Sequence, residues 1–247
     1  MGRELRRLLL SPARLAAAAA TGAVALQPPE LHYLGRVLRL RAGDSFAVVD
    51  GAGRLWEASL VDGAARLQQP QAEPLQHQPP PRPFLQLAFA PPRRDADVLL
   101  RMATELGIDA LQPLLADRSV AERWNGARAE GLVREAVEQC ERLWVPELMP
   151  PCPARNCFAA ASGLRLLATT RNDALPQLER LLAEQKLPPD STVSVAIGPE
   201  GGWSPDEEQS ALAHGWMAVQ LGPSILRTAT AAVVAATLLV NRRQREH

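Results

Sequence analysis

Beyond residue 83 the sequence alternates between short apolar runs and amphipathic stretches, and this alternation constrains the fold more than any other feature. Apolar runs typical of buried strands cover residues 84–90, 110–116, 164–170, 192–198 and 217–222. Helical periodicity covers residues 95–107, 128–143, 205–215 and 227–244. Strands that alternate with helices indicate a parallel sheet, so the sequence predicts an α/β domain here.

The segment before residue 68 has a different pattern, in which short apolar runs are separated by turn residues. Residues 37–61 alternate apolar and polar positions, with glycine-containing turn signals at 42–44 and 50–53. This pattern predicts a small β-barrel or β-sandwich. Prolines crowd residues 68–83 and favour an extended linker. We therefore expect a boundary near residue 75, with a β domain over 1–75 and an α/β domain over 76–247.

The charge of the chain is balanced overall but uneven along its length. There are 27 basic and 27 acidic residues, and this zero net charge argues against a protein coated in nucleic acid. Seven arginines and only two glutamates nevertheless precede residue 42. Such a run is either a solvated face or a basic surface that contacts RNA, and the sequence leaves both interpretations open.

The cysteines, histidines and apolar runs disfavour several classes of function. Cys140, Cys152 and Cys157 form no CxxC pair and the histidines are scattered, so we expect neither a metal site nor a disulfide framework. This cysteine usage suits a reducing cytoplasm. Residues 1–26 resemble a signal peptide, but Pro12 and Arg14 interrupt their apolar part, so we expect no export. No apolar run reaches the ~20 residues that a membrane span needs.

Three loops follow predicted strands directly and are rich in glycine, proline and small polar residues: 169–173, 198–204 and 221–228. Ligands of parallel α/β sheets bind at the carboxyl ends of the strands, where these loops begin. The GPEGG sequence at 198–202 lacks the Gly-Lys of a phosphate-binding loop, and Glu200 would repel a phosphate. Glycines that serve only as turns are the alternative. Three loops in register favour a pocket whose main chain binds a neutral or cationic ligand, such as an adenosyl cofactor with a sulfonium centre.

Five segments occur in the same order in this chain and in one known family. They are HYLGRVLRLRAGD (32–44), ATELGIDALQPLLADRSV (103–120), EQCERLWVPEL (138–148), AIGPEGGWSPDEE (196–208) and LGPSILRTATAA (221–232). Together they resemble the bacterial SPOUT-class methyltransferases that convert a uridine of 16S ribosomal RNA to N3-methyluridine. The resemblance extends over essentially the whole chain, and its segments around 198–205 and 221–231 are the most specific.

The resemblance implies an N-terminal PUA-like RNA-binding β-barrel and a C-terminal α/β domain whose chain forms a trefoil knot. It also implies S-adenosyl-L-methionine as the cofactor, 16S rRNA or the small ribosomal subunit as the substrate, and a cytoplasmic homodimer without a metal. By position, the cofactor pocket comprises Thr169, Thr170, Gly198, Pro199, Glu200, Gly201, Gly202, Leu221, Gly222, Ile225, Leu226 and Thr228.

The chemistry of uracil N3 indicates what a catalytic residue must do. N3 becomes nucleophilic only when its proton leaves, so a catalyst must assist deprotonation or stabilise the anion over the base carbonyls. The donor fork of a guanidinium suits that anion, and Arg227 is the predicted catalytic residue. The residues predicted to contact RNA are Arg6, Arg7, Arg36, Arg39, Arg118, Gln139 and Arg142. For the last three the dimer interface is an alternative, and Arg142 is also interpretable as a helix-terminal charge.

Four positions depart from the family's pattern. The chain has Ser224 where the family usually has a basic residue, Ala229 where it has a glutamate, and Met102 where it has a lysine. It also lacks a lysine that is often found near Asp95. Fewer cations beside an anionic substrate predict weaker phosphate binding with an intact cofactor pocket. Two other functions therefore remain open: a related enzyme that modifies another RNA nucleotide, and an RNA-binding protein that has lost turnover.

Overall fold

The structure is a computed structural model that describes residues 5–18, 20–119, 124–170 and 174–245. The chain folds as two compact units. The first comprises the residues up to Pro80 together with Arg134–Val145, and the second comprises Pro81–Val133 together with the residues from Pro146 onward. The predicted boundary near residue 75 places residues 134–145 in the α/β domain, whereas in the structure they pack in the first unit.

The first unit is built on a six-stranded sheet with two short helices. Strands β1 and β3 pair in parallel, and the other pairs are antiparallel, in the order β1-β3-β4-β5-β2 with β6 also on β4. Helix α2 continues into a π-helical turn. The elements are β1 (Arg7–Leu9), α1 (Pro12–Ala17), β2 (Ala23–Ala25), α2 (Pro28–His32, with the π-helical turn Tyr33–Val37), β3 (Ser45–Val49), β4 (Arg54–Val61), β5 (Ala64–Leu67) and β6 (Gln76–His77).

Strand β6 corrects the prediction for the proline-rich segment. The sequence predicts an extended linker without regular structure over residues 68–83, whereas Gln76 and His77 pair with β4. Trp144 Nε1 also donates a hydrogen bond of 3.1 Å to the carbonyl of Gln78. The segment is therefore partly a sheet edge, because contacts that are distant in sequence order it.

The segment that resembles a signal peptide supplies part of the core of the first unit. Ser11 caps α1 by accepting a hydrogen bond from the Arg14 N–H, and Pro12 occupies the first turn. Pro12 and Arg14, which interrupt the apolar run in the sequence, are thus the start of a helix. The buried residues Leu8, Leu10 and Leu15 pack in one cluster with Phe46 and Trp56.

Glu138 places its carboxylate beside the main chain of β1. Its Oε1 accepts a hydrogen bond of 2.8 Å from the N–H of Leu9. Arg134 Nη1 donates a hydrogen bond of 2.6 Å to the carbonyl of the same residue. Burial raises the pKa of Glu138 to about 7, and the Leu9 N–H and the charge of Arg134 oppose this effect only in part. The carboxyl therefore takes up its proton near neutral pH.

We expect a Glu138→Gln variant to lose a pH dependence of stability that the wild-type chain has. The pKa of Glu138 in the folded chain, about 7, lies above its ordinary value of 4.5, so the folded chain binds more protons between these values. The wild-type free energy of unfolding therefore falls as the pH rises through this window, by up to about 3 kcal/mol. Glutamine keeps the oxygen that accepts from Leu9 but does not titrate. Urea unfolding across the window tests this, and parallel curves for the two chains would contradict it.

The second unit is a parallel α/β sheet, which confirms the predicted class. The strand order is β10-β8-β7-β12-β11-β13 with β9 on β8, and all pairs are parallel. The carboxyl ends of β11, β12 and β13 therefore meet at one edge. The elements are β7 (Phe84–Phe89), α3 (Ala96–Leu106), β8 (Ala110–Leu115), α4 (Gly126–Gln139, whose residues from Arg134 belong to the first unit), β9 (Glu147–Leu148), β10 (Cys152–Pro153), α5 (Ala154–Ala160), β11 (Leu164–Ala168), α6 (Leu178–Glu184), β12 (Thr192–Ile197), α7 (Pro205–Ala213), β13 (Met217–Val219) and α8 (Thr228–Gln244).

Some helices differ from the predicted ones. The sequence predicts a helix over 128–143, whereas α4 ends at Gln139 and Glu141 adopts a left-handed φ of 62°. Helices α1, α2, α5 and α6 are not among the predicted elements. Each has seven residues or fewer, which is too short for an apolar period to be recognised.

Helix α8 is anchored at both ends. At its start, Thr228 Oγ1 donates a hydrogen bond of 3.1 Å to the carbonyl of Gly198. Near its end, Arg243 forms an ion pair with Asp109, whose side chain is only 3% exposed. Asp109 Oδ2 also accepts a hydrogen bond of 2.9 Å from the N–H of Leu85 in β7. Between these anchors the buried alanines of α8 let the helix approach the sheet closely.

Candidate active site

The loops that follow β11, β12 and β13 enclose one cavity of about 480 Å³. All twelve residues that the sequence assigns to a cofactor pocket, from Thr169 to Thr228, line this cavity. Sequence reasoning missed nine further lining residues: Arg118, Ala168, Ile197, Trp203, Glu208, Gln220, Pro223, Ser224 and Ala231. Six of these are immediate neighbours of assigned residues. The exceptions are Arg118, Glu208 and Ala231.

The first wall of the cavity is the turn after β12. The N–H of Gly202 donates a hydrogen bond of 2.8 Å to the carbonyl of Pro199, and Gly202 has a left-handed φ of 71°, which glycine adopts without strain. A side chain at Gly198 would meet the ring of Trp203 at 3.0 Å. Trp203 Nε1 in turn donates a hydrogen bond of 3.0 Å to the carbonyl of Ala168, at the end of β11. Because these residues are glycines, no side chain covers their main-chain atoms at the cavity.

Arg118 forms hydrogen bonds with this wall. It lies in the loop after β8, which is not one of the three strands whose loops form the cavity. Its Nη1 donates hydrogen bonds of 3.1 Å to the carbonyls of both Gly201 and Trp203. The neighbouring N–H of Asp117 donates a hydrogen bond of 2.8 Å to Glu207, which is 1% exposed and caps α7. The sequence assigns Arg118 to RNA, and no local pattern links it to residues more than 80 positions away.

The second wall of the cavity, residues 221–227, offers main-chain donors. Within the described residues, none of the N–H groups of this segment donates a hydrogen bond to the chain. Gly222 has a φ of 150°, and a side chain there would meet no atom within 4 Å. The side chain of Ile225 is 66% exposed. These N–H groups are therefore available to a ligand that carries hydrogen-bond acceptors.

The cavity combines two carboxylates with one guanidinium. Glu200 Oε1 accepts a hydrogen bond of 3.1 Å from the N–H of Arg93, in the loop after β7. Glu208 Oε1 accepts one of 3.4 Å from the hydroxyl of Thr169. Among the described lining residues, Arg118 is the one cation. A net negative lining favours a ligand with a positive or neutral centre.

Arg227, the predicted catalytic residue, is placed beside the cavity rather than within its lining. It is the N-cap residue of α8, and its carbonyl accepts a hydrogen bond of 2.8 Å from the N–H of Ala231. Its side chain is exposed, whereas its neighbours Leu226 and Thr228 line the cavity. Arg227 is therefore a solvent-exposed residue of the loop that lines the cavity.

Of the residues predicted to contact RNA, Arg118 lines the cavity. The others belong to the first unit. Arg7 is bound to the carboxylate of Glu141 at 2.9 Å, and Arg142 is half-buried. Arg6, Arg36, Arg39 and Gln139 are exposed.

Other kinds of centre are not seen in the described residues. No three His, Cys, Asp or Glu side chains among them are arranged to hold a metal ion. Burial raises the pKa of the Cys157 thiol to about 12, so it is not a nucleophile at neutral pH. In the same ranges, no helix combines the length and apolar character that crossing a membrane requires.

Sequence comparisons place this fold and cavity among RNA-modifying enzymes. A family model described as an RNA methyltransferase domain matches residues 79–240, and one described as an RNA methyltransferase PUA domain matches residues 26–65. The ribosomal RNA small subunit methyltransferase E of Synechocystis sp. is 37% identical over 243 residues, covering 93% of this chain and 75% of the relative.

Solved structures show the same architecture. The chain superposes on the Neisseria gonorrhoeae ribosomal RNA small subunit methyltransferase E, solved bound to S-adenosyl methionine, with a TM-score of 0.78, 26% identity and coverage of 96% of this chain and 97% of that one. For a probable rRNA-methyltransferase from Porphyromonas gingivalis the TM-score is 0.81, with 24% identity and coverage of 98% and 100%. The predicted fold class, a PUA-like β domain followed by a SPOUT α/β methyltransferase domain, is thereby confirmed. The chain belongs to the RNA methyltransferase family that includes the ribosomal RNA small subunit methyltransferases E.

Proposed function

We propose that the protein is an S-adenosyl-L-methionine-dependent methyltransferase that methylates N3 of a specific uridine in 16S ribosomal RNA. The observation that carries this proposal is the cavity at the ends of β11, β12 and β13, which all twelve assigned cofactor residues line. The relatives named for small-subunit rRNA methylation support the class of substrate. The choice of uridine N3 rests on the five sequence segments shared with enzymes of that specificity.

The residues of the cavity fit this cofactor. The volume of about 480 Å³ is in the range of small-molecule sites, and the free N–H groups of residues 221–227 match the acceptors of an adenine ring. The carboxylates of Glu200 and Glu208 suit the positive sulfur. When bound, the cofactor supplies an electrophilic methyl group on that sulfur.

The chain's own part in the reaction is to orient the uracil and to stabilise its anion. Arg227, exposed in the loop that lines the cavity, would donate hydrogen bonds to the base carbonyls as negative charge develops on them. Glu200 and Glu208 would not share this task, because their charge has the same sign as that of the uracil anion. Rigid walls around the cavity would align N3 with the methyl group.

The assembly and compartment form part of the same proposal. The resemblance on which it rests implies a homodimer that works in the cytoplasm. Sedimentation of the purified protein tests the dimer, and a monomer at micromolar concentration would refute it.

Transfer of a labelled methyl group from the cofactor tests the reaction. The substrate is small-subunit rRNA, free or in subunits, from a strain that lacks the modification, and the product is mapped by nucleotide. We expect one N3-methyluridine. A label on another nucleotide would indicate a related enzyme of different specificity. Cofactor binding without incorporation would indicate the RNA-binding protein that has lost turnover.

We expect Arg118→Ala to weaken cofactor binding by about tenfold, because the carbonyls of Gly201 and Trp203 lose their shared donor and the wall loosens. Isothermal titration with S-adenosyl-L-methionine measures the change. Arg155→Ala is the matched control, since Arg155 pairs with Asp117 at the same loop but does not line the cavity. Unchanged cofactor affinity with a loss of RNA affinity would return Arg118 to its predicted role in RNA contact.

A further inference from the structure

Arg93 and Arg94 follow β7 and lie beside the cavity at the carboxyl edge of the sheet. The N–H of Arg93 donates a hydrogen bond of 3.1 Å to Glu200, which lines the cavity. Both arginine side chains are exposed, and the two prolines before them, Pro91 and Pro92, are buried. Because proline fixes its own main-chain φ, the two guanidinium groups extend from a well-defined position on the rim.

The positive charges of these two arginines are not neutralised by ion pairs within the described residues. Within the part of the chain that the structure describes, no carboxylate lies at ion-pairing distance from Arg93 or Arg94. Their donors are therefore free for a ligand, and a guanidinium presents five N–H groups. Some other exposed arginines of the unit, by contrast, form ion pairs, as in Arg128–Asp97 and Arg180–Glu184.

We propose that Arg93 and Arg94 bind phosphate groups of the RNA strand whose nucleotide enters the cavity. The inference rests on the proposed function, which makes RNA the substrate. A nucleotide that is delivered into a pocket brings its flanking phosphates to the mouth. Glu200 and Glu208 repel phosphates from the interior, so cations on the rim must hold them. Of the residues that the sequence assigns to RNA, Arg118 is the one that belongs to the second unit.

The test measures the affinity of the full chain for unmodified, transcribed small-subunit rRNA by filter binding at salt concentrations from about 50 to 200 mM. We expect Arg93→Ala/Arg94→Ala to bind the RNA about tenfold more weakly. Its plot of log affinity against log salt should be shallower by about 0.7 for each phosphate that the variant no longer binds. Affinity for S-adenosyl-L-methionine, measured on the same samples, should stay at the wild-type value. Arg93→Lys/Arg94→Lys should keep most of the salt dependence, because it keeps the charges.

The matched control is Arg82→Ala/Lys186→Ala, which removes the same charge from exposed residues of the same unit. Arg82 precedes the amino end of β7 and Lys186 precedes the amino end of β12, at the opposite edge of the sheet. An equal loss of RNA affinity in the control would overturn the inference, because only the net charge would then matter. An unchanged salt dependence in the Arg93/Arg94 variant would overturn it as well. If the variants behave as expected but the wild-type chain transfers no methyl group, the proposed function fails and the phosphate site stands.

Discussion

Replacing Arg227 with alanine is expected to lower kcat for RNA methylation by about 10²–10³-fold, the usual cost of removing a donor aimed at developing charge. The dissociation constant of the cofactor should change little, because the Arg227 side chain is exposed and does not line the cavity. Single-turnover methyl transfer with saturating RNA separates the chemical step from binding.

Two further variants of Arg227 sharpen this result. Arg227→Lys keeps the charge but loses the two-pronged donor, so we expect kcat between those of the wild type and Arg227→Ala. Arg180→Ala is the control, because Arg180 is an exposed arginine that pairs with Glu184. This variant should have the wild-type kcat. Wild-type kcat in Arg227→Ala would remove Arg227 from the mechanism. A loss confined to KM would make it a substrate-binding residue.

Replacing Asp109 with alanine is expected to lower the free energy of unfolding by about 3–5 kcal/mol, which is the effect of leaving one member of a buried ion pair without its partner. The side chains of Asp109 and Arg243 are 3% and 12% exposed. The same carboxylate also accepts the Leu85 N–H, so the variant leaves a buried donor unsatisfied. Urea unfolding of the second unit measures the loss.

Controls for Asp109 use an exposed ion pair and a double variant. Glu184→Ala breaks the exposed pair with Arg180 and should cost about 0.5 kcal/mol or less. Asp109→Leu/Arg243→Leu should cost less than the sum of the two single changes, because neither charge is then left alone. A loss in Asp109→Ala as small as that in Glu184→Ala would show that α8 does not depend on this anchor.

The sequence predicts the second unit well because its signals are local. Each long strand carries an apolar run, and the runs alternate with helical periodicity. The order of elements and the edge where the loops meet therefore follow from the pattern alone. The assigned cofactor residues share one cavity because the carboxyl ends of parallel strands share one edge.

The features that the sequence does not predict depend on contacts between distant residues. Arg118 reaches Gly201 across 83 positions, and nothing near either residue signals the contact. Strand β6 forms in a proline-rich segment because β4 offers it an edge. Helix α4 ends early because the chain turns at Glu141, whose left-handed φ no local motif indicates.

The position of Trp203 gives the cavity an optical reporter. Its indole lines the cavity and packs edge-on against Phe158 at 5.5 Å, while Trp216, which also packs against Phe158, is 2% exposed. A ligand that fills the cavity changes the polarity around Trp203 and leaves Trp216 in its apolar surroundings. The emission spectrum of the chain therefore shifts on occupancy, and the shift is absent in Trp203→Phe. Binding at this site can be followed without a label and without turnover.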